Sequence, residues 1–288
     1  MLLIFVGSSA PSPPKPLNET AKIPDGAVDL FPQKFGPHVF YIPSRQCILK
    51  VGDPKVLSEA EALRFIAKYT SVPVPLVHES YEENGVGYLY MEKIKGVPVG
   101  DVWEKLDDNQ KAHFVSQLRD FTTEWQNLPG QFYGALWQLP CEDVFFHHCC
   151  LLPPYEVRYG PYLSREEYNH GLMQALINSR PLGESQFEDA EKLLIQRLCS
   201  LNDDTIVFSH GDLHLGNIFV DDLCNITGIL DWGEAGFSIK EREYVEARSR
   251  ARNPEWIKAL DEIFGDQVKV NSEPFIELNK ALVEYSGF

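Results

Sequence analysis

The sequence predicts an α+β fold in two parts: a small N-terminal β-sheet carrying one helix, and a larger, mainly helical C-terminal part. Three observations predict it. Strand-like runs on both sides of an Asn84-Gly85 turn signal occupy the first third of the chain. From Asp101 onward, apolar residues recur at helical spacing. Between Thr205 and Leu230, two short apolar runs enclose the polar loop Ser209-His210-Gly211-Asp212-Leu213-His214-Leu215-Gly216-Asn217, the layout of a functional loop hung between strands. The 288 residues are enough for about two domains. The boundary is expected after Lys95, giving residues 1–95 and 96–288.

The N-terminal elements follow from local signals. Residues 7–33 hold Pro11, Pro13, Pro14, Pro16, Pro24, Gly26 and Pro32, a density of breakers that reads as an irregular leader. Cys47-Ile48-Leu49-Lys50-Val51 is a β-prone run with one lysine. Ser58-Glu59-Ala60-Glu61 matches a capping box and predicts a helix from Ser58 to about Tyr69. On that helix Glu59 projects onto the face of Ala62, Leu63 and Ile66, so its carboxylate needs a buried cation; Lys50 is the nearest in sequence. Val72-Pro73-Val74-Pro75 is extended, because each proline pushes its predecessor out of the helical region. Two strands, Pro75 to Tyr81 and Val86 to Met91, then form a hairpin.

Helical signals dominate the remainder. Asp107 or Asp108 caps a segment carrying Val115, Leu118, Phe121, Thr122 and Trp125, stopped by Pro129-Gly130. A second box, Ser164 to Glu167, opens a helix to about Asn178, and Phe187, Ala190, Leu194, Leu198 and Leu201 mark another. A strand at Ile226 to Leu230 precedes Asp231, and three more helices are expected at about 238–250, 254–264 and 273–286.

Composition narrows the function. With 44% apolar and 24% charged residues the chain is an ordinary folded protein. A formal net charge of −16 argues against nucleic acid and anionic membrane surfaces as partners, and favours cationic ligands if the carboxylates line a cleft. Six cysteines without framework spacing suit a reducing, cytoplasmic setting. Leu2 to Val6 is too short for a signal or membrane segment.

The chemistry concentrates in the central loop. His210, Asp212 and Asn217 match the spacing H-R-D-x-x-x-x-N, with Gly211 in place of the arginine; Asp231-Trp232-Gly233 follows where a metal-binding D-F-G would stand. Each residue has an ordinary explanation as well. Asp212 and Asp231 could form turns, His214 could pack the loop, and Lys50 could snorkel at the surface. His210 is expected to be structural, its ring bonded to backbone near Asp231. Gly211-Asp212-Leu213-His214 also looks like half of a di-metal phosphoesterase site, but no further cluster of the required kind follows. His147-His148-Cys149-Cys150 invites a metal reading that adjacent ligands do not satisfy well.

Taken together, His210 to Phe219, Ile229-Leu230-Asp231-Trp232, Val72-Pro73-Val74-Pro75 and Gly160-Pro161-Tyr162-Leu163-Ser164 resemble the aminoglycoside phosphotransferase or choline-kinase-like family, in particular its fungal phosphotransferase members. The resemblance implies a two-lobed protein-kinase-like fold and phosphoryl transfer from ATP, with Mg²⁺, to a hydroxyl of a small molecule. It implies Asp212 as catalytic base, Asn217 and Asp231 as metal ligands, Lys50 held by Glu59 at the phosphates, and Met91, Glu92 and Ile94 as the hinge that meets adenine. The phosphate cover is expected in the hairpin Phe35 to Cys47, around Pro37 to Ser44, whose only glycine is Gly36; so poor a cover keeps as the alternative a catalytically weak or inactive pseudokinase that acts as a nucleotide-binding or interaction module. The acceptor pocket is expected from about 131 to 182, with Glu241, Glu243, Asp261 and Glu262 lending it negative charge.

Overall fold

A computed structural model describes residues 21–32, 36–147, 157–180, 183 and 187–285. Its N-terminal part is an antiparallel sheet built from β1 (Val28–Asp29), β2 (His38–Ile42), β3 (Cys47–Gly52), β4 (Val77–Glu83) and β5 (Val86–Glu92), in the order β1-β2-β3-β5-β4. The period of two along β3 explains its two faces. Cys47, Leu49 and Val51 join Phe40, Ile42, Tyr88 and Tyr90 in one buried cluster. Ile48 faces the other way, into the cluster that holds helix α1 (Val56–Tyr69), and Lys50 shares its parity. The Asn84-Gly85 turn has φ of 53° and 76°, the two left-handed residues that a type I′ hairpin needs.

Two expectations change here. Helix α1 starts at Val56 instead of Ser58. The Asp53 carboxylate accepts from the Lys55 amide (3.0 Å) and the Asp53 carbonyl from the Val56 amide (3.0 Å), so the Asp53-Pro54 turn launches the helix before the serine is reached. Glu61, freed from capping, pairs with Arg64 at 2.5 Å. The leader is also not wholly irregular: Val28 and Asp29 pair with Tyr41 and Phe40. Residues 1–20 lie outside the described residues.

The C-terminal part holds α2 (Val99–Val102), α3 (Asp108–Gln126), α4 (Arg165–Asn178), α5 (Asp189–Ser200), α6 (Arg242–Arg250), α7 (Pro254–Asn271) and α8 (Glu273–Tyr285). The predicted caps form: Asp107 and Gln110 close a reciprocal box on α3, and Ser164 accepts from Glu167 on α4. The expected helix end at 264 marks a kink, because Gly265 (φ 79°, ψ 164°) interrupts α7. Trp125, Trp232 and Phe208 pack beneath the central loop, the two indoles edge-on at 5.4 Å. Among the described residues, no helix is long and apolar enough to cross a membrane.

Two small sheets suspend the central loop. One joins β7 (Gly134–Ala135), β11 (Gly236–Ser238) and β8 (Val207–Ser209); the other joins β10 (Ile226–Ile229), β9 (Ile218–Val220) and β6 (Val97–Pro98). β8 carries the start of the loop and β9 its end, so residues 210–217 are clamped at both sides. The β6 pairing requires Gly96, whose φ is 100° and whose Cβ, if present, would lie 2.2 Å from the Val220 carbonyl oxygen. Gly96→Ala should therefore destabilise by at least about 2 kcal/mol, combining a left-handed backbone with a clash against main chain. Equilibrium urea denaturation checks this, and a midpoint equal to wild type would contradict the assignment.

Candidate active site

Two charged groups from distant parts of the chain meet at Lys50. Its ammonium donates to Glu59 Oε2 at 2.5 Å and to Asp231 Oδ1 at 2.8 Å. Glu59 is 2% exposed and Lys50 9%, so neither is solvated independently. Burial works to discharge Lys50, but the charges of Glu59 and Asp231 outweigh it and hold the ammonium well above its ordinary range. Asp231 follows β10 in a left-handed conformation (φ 64°, ψ 58°), which turns the chain sharply and brings its carboxylate to Lys50. Such conformations are tolerated by aspartate more readily than by most residues.

The second half of the site is the loop itself. Asn217 Nδ2 donates to the Asp212 carbonyl (2.9 Å) and to Asp212 Oδ2 (3.3 Å), and the Asn217 carbonyl accepts from the Leu230 amide at 2.8 Å. These bonds set Asp212, Asn217 and the approach to Asp231 side by side. The His210 ring is buried and bridges backbone: Nδ1 accepts from the Asp212 amide (3.0 Å) and Nε2 donates to the Leu230 carbonyl (2.8 Å), which fixes the tautomer. The structural role expected of His210 is thus what the geometry gives. His214 Nδ1 accepts from the Gly216 amide, while its Nε2 lies 3.8 Å from Asp212 Oδ2. Burial raises the Asp212 carboxyl above the usual carboxylate range, opposed by the positive charge of Arg250.

Met91 and Glu92 end β5 opposite Ile48 and Cys47, one and two rungs beyond the pair made by Leu49 and Tyr90, and Ile94 packs against Gly228. Met91 and Glu92 thus close the interior strand β5, between β3 and β4, and Ile94 lies just beyond its end. The Glu92 amide is already committed to the Leu76 carbonyl at 2.8 Å.

The segment expected as the phosphate cover is largely strand. His38 to Ile42 is strand β2, and the turn after it lies beside Glu92, at the end of β3 that starts with Cys47. The preceding connection, residues 30–37, enters β2 two residues before Val39, the partner of Lys50, and the Leu30 amide donates to the Val39 carbonyl. It contains Gly36 at φ 94°; residues 33–35 lie outside the described residues. The acidic lining also fails to form as expected. Glu243 is fully buried and Glu241 nearly so, Asp261 is engaged by Tyr244 and Lys269, and Glu262 pairs with Arg119. Of the His147 to Cys150 run, residues 148–150 lie outside the described residues.

Sequence reasoning missed what lies behind the loop. Glu243, on α6, accepts from the His210 amide (2.5 Å) and the Gly211 amide (3.3 Å). Arg250, at the end of the same helix, donates to the Gly211 carbonyl (2.7 Å) and lies 3.3 Å from Asp212 Oδ1. Arg242 is fully buried and donates to the carbonyls of Glu142 (3.0 Å) and Glu234 (2.6 Å), with Glu246 at 3.2 Å from its Nε. This explains Gly211: a Cβ there would meet Arg242 Nη2 and the Glu234 carbonyl at 2.6 Å, at a φ of 84°. No periodicity signals these residues, because 242–247 are buried on all sides and carry no apolar stripe.

Comparison with known proteins places this geometry. The sequence model described as the phosphotransferase enzyme family matches residues 39–259, well over half of the chain. No curated protein matches by sequence. Among solved structures, an aminoglycoside-3'-phosphotransferase of type VIII is similar, with a TM-score of 0.55 and 18% identity, covering 90% of this chain and 94% of that one. Aminoglycoside phosphotransferase APH(3'')-Id from Streptomyces rimosus, in complex with ADP and streptomycin, gives 0.52 and 16%, covering 89% and 92%. Choline kinase LicA from Streptococcus pneumoniae gives 0.50 and 13%, covering 90% and 82%. At these identities the likeness establishes the two-lobed kinase-like fold.

Opposite pKa shifts meet where Glu243 holds His210. Burial raises the Glu243 carboxyl from 4.5 to about 7 and lowers the His210 imidazole from 6.5 to about 4. Between about pH 4.5 and 6.5 the folded chain keeps a proton on Glu243 that the unfolded chain releases, while the unfolded chain takes up one on His210 that the folded chain excludes. As pH falls across this window, Glu243 adds stability and His210 removes it, each on the order of 3 kcal/mol. The two offset in the wild type. Glu243→Gln should leave stability falling as pH drops, and His210→Gln should leave it rising; chemical denaturation at pH 4.5, 5.5 and 6.5 reads both slopes. Two variants with the same slope would contradict the burial of one group or the other.

Proposed function

The chain belongs to the phosphotransferase enzyme family, and on that premise we propose that it transfers the terminal phosphoryl group of ATP to a hydroxyl of a small molecule, with Mg²⁺ as cofactor. The observation that carries the proposal is the bond between Lys50 and Asp231, 181 residues apart, which sets a charged lysine against a candidate metal carboxylate. Phosphoryl transfer passes through a loose transition state in which placement and charge neutralisation do most of the work. Lys50, fixed by Glu59, would bind the phosphate oxygens of the nucleotide.

The donor chemistry fits a hard cation. Asn217 spends its side-chain nitrogen on Asp212, which leaves its side-chain Oδ1 as the acceptor that could meet a cation, and the Asp231 side chain is about one third exposed. These two would hold Mg²⁺, which takes oxygen ligands and when bound neutralises phosphate charge. Asp212 would accept the proton of the acceptor hydroxyl as its oxygen bonds to the γ-phosphorus and the bond to ADP breaks. Burial raises its proton affinity, in the direction a general base needs, and the positive charge of Arg250 opposes this. Adenine would lie against Met91 to Ile94, where the Glu92 amide is already spent on the Leu76 carbonyl. The net charge of −16 draws cations to the surface as a whole, so amine-bearing alcohols are among the acceptors to test.

A second reading, nucleotide binding without turnover, rests on the connection 30–37, whose only glycine is Gly36. One variant separates the two. Asp212→Asn keeps the shape of the loop and removes the base, so ATP consumption with an accepted substrate should fall about 10² to 10⁴-fold with little change in melting temperature. A panel of alcohols, amino alcohols and aminoglycosides supplies the substrate. Turnover unchanged in Asp212→Asn would overturn the role of Asp212, and no turnover of any acceptor by the wild type would favour the second reading.

A further inference from the structure

Lys55 stands at the N-terminus of α1, between Lys50 and Glu59 in sequence, yet its ammonium leaves the N-terminal part of the molecule. It donates to Glu142 Oε2 at 2.7 Å and to Glu234 Oε1 at 3.1 Å. His147 Nε2 closes the group, 3.3 Å from Glu142 and 3.5 Å from Glu234. The donor atoms of Glu142, His147 and Glu234 fall within 4.8 Å of one another, a spacing that a metal ion would accept. Here the Lys55 ammonium already bridges both carboxylates, and the same carboxylates raise the proton affinity of His147 against the effect of burial, the opposite of what a metal ligand needs.

The two carboxylates are firmly mounted. The backbone carbonyls of Glu142 and Glu234 both accept from Nη2 of the buried Arg242. Glu234 is also three residues beyond Asp231, and its backbone lies against Gly211. Lys55 is tied to its own lobe just as closely, through its amide to Asp53 and the first turn of α1. The bridge thus joins the start of the helix that carries Glu59 to the segment that carries Asp231. Lys50 touches both of those residues, at 2.5 and 2.8 Å.

We propose that Lys55 is a positioning residue: its bridge to Glu142 and Glu234 docks α1 on the C-terminal lobe and so holds Glu59, and through it Lys50, in register with Asp231. The proposal rests on the phosphotransferase reading for its consequence in turnover, but not for the docking itself. Lys55 is 45% exposed at its side chain and touches neither Lys50 nor Asp212 in the bonds described, so its removal leaves the reacting groups in place chemically. What changes is how closely they are held. Lys55→Arg can span the same two carboxylates, whereas Lys55→Met keeps the length of the side chain and loses the charge.

The test is hydrogen–deuterium exchange on the nucleotide-free protein, with steady-state kinetics alongside. Lys55→Met should raise exchange in Val56 to Tyr69 by about tenfold, leave the β4–β5 hairpin at the wild-type rate, and lower kcat with little change in the KM for the acceptor. Lys55→Arg should restore α1 protection. The reversed pair, Lys55→Glu with Glu234→Lys, should recover protection that Lys55→Glu alone loses, which a simple structural role for the lysine would not produce. Wild-type exchange across α1 in Lys55→Met, or no recovery in the reversed pair, would overturn the docking. Failure of the phosphotransferase reading is a different result, since it would leave the exchange pattern intact and abolish only the kinetic effect.

Discussion

The site depends on one buried cation held by two carboxylates. Lys50 comes from a sheet strand, Glu59 from the helix that follows, and Asp231 from the opposite lobe. Taking the ammonium out of water is unfavourable, and the structure offsets this with two short charge-assisted hydrogen bonds. Removing one partner of such a group generally costs about 3–5 kcal/mol, because the remaining charge stays buried and uncompensated. Fold and site are coupled for that reason. The ion group requires the two lobes to meet in one register, and two carboxylates on a single lysine leave little freedom in how they do so.

The central loop depends on α6 in a comparable way. Its first turn and last turn hold the loop from behind, Glu243 through the amides of His210 and Gly211, and Arg250 through the carbonyl of Gly211. Backbone groups at the turn that would otherwise be buried without partners are satisfied by side chains. Arg242, next to Glu243 at the start of the helix, anchors the segments of Glu142 and Glu234 and occupies the space that a side chain at position 211 would need. Glycine at that position is thus a consequence of the backing, and the loop, the segment after Asp231 and the lobe contact share one helix as their support.

Much of this was legible in the sequence where local chemistry decides the outcome. The Asn84-Gly85 hairpin, the Asp107 and Ser164 caps and the inward face of Glu59 follow from turn geometry, capping and helical period, and all appear in the structure. The pairing of Lys50 with Glu59 was readable because a carboxylate on an apolar stripe demands a cation. The capping box at Ser58 misled, because Asp53-Pro54 offers the same amides an earlier partner. Most of the segment expected as a phosphate cover is strand β2, a pairing that strand order shows and local spacing does not. Glu243 was read as a pocket acid; a buried carboxylate bonded to backbone has the same sequence signature as an exposed one, and the difference lies in tertiary contacts more than 30 residues away.

The central claim is that Lys50 and Asp231 form the phosphate and metal end of a nucleotide site. Thermal and chemical denaturation of the wild type and Asp231→Ala, each with ATP in the presence of Mg²⁺ and again with a chelator, tests it most directly. ATP with Mg²⁺ should stabilise the wild type by about 2.7 kcal/mol at a hundred times Kd, and the gain should be largely lost with the chelator or in the variant. Equal stabilisation of both proteins with and without the metal, or none in either, would contradict it.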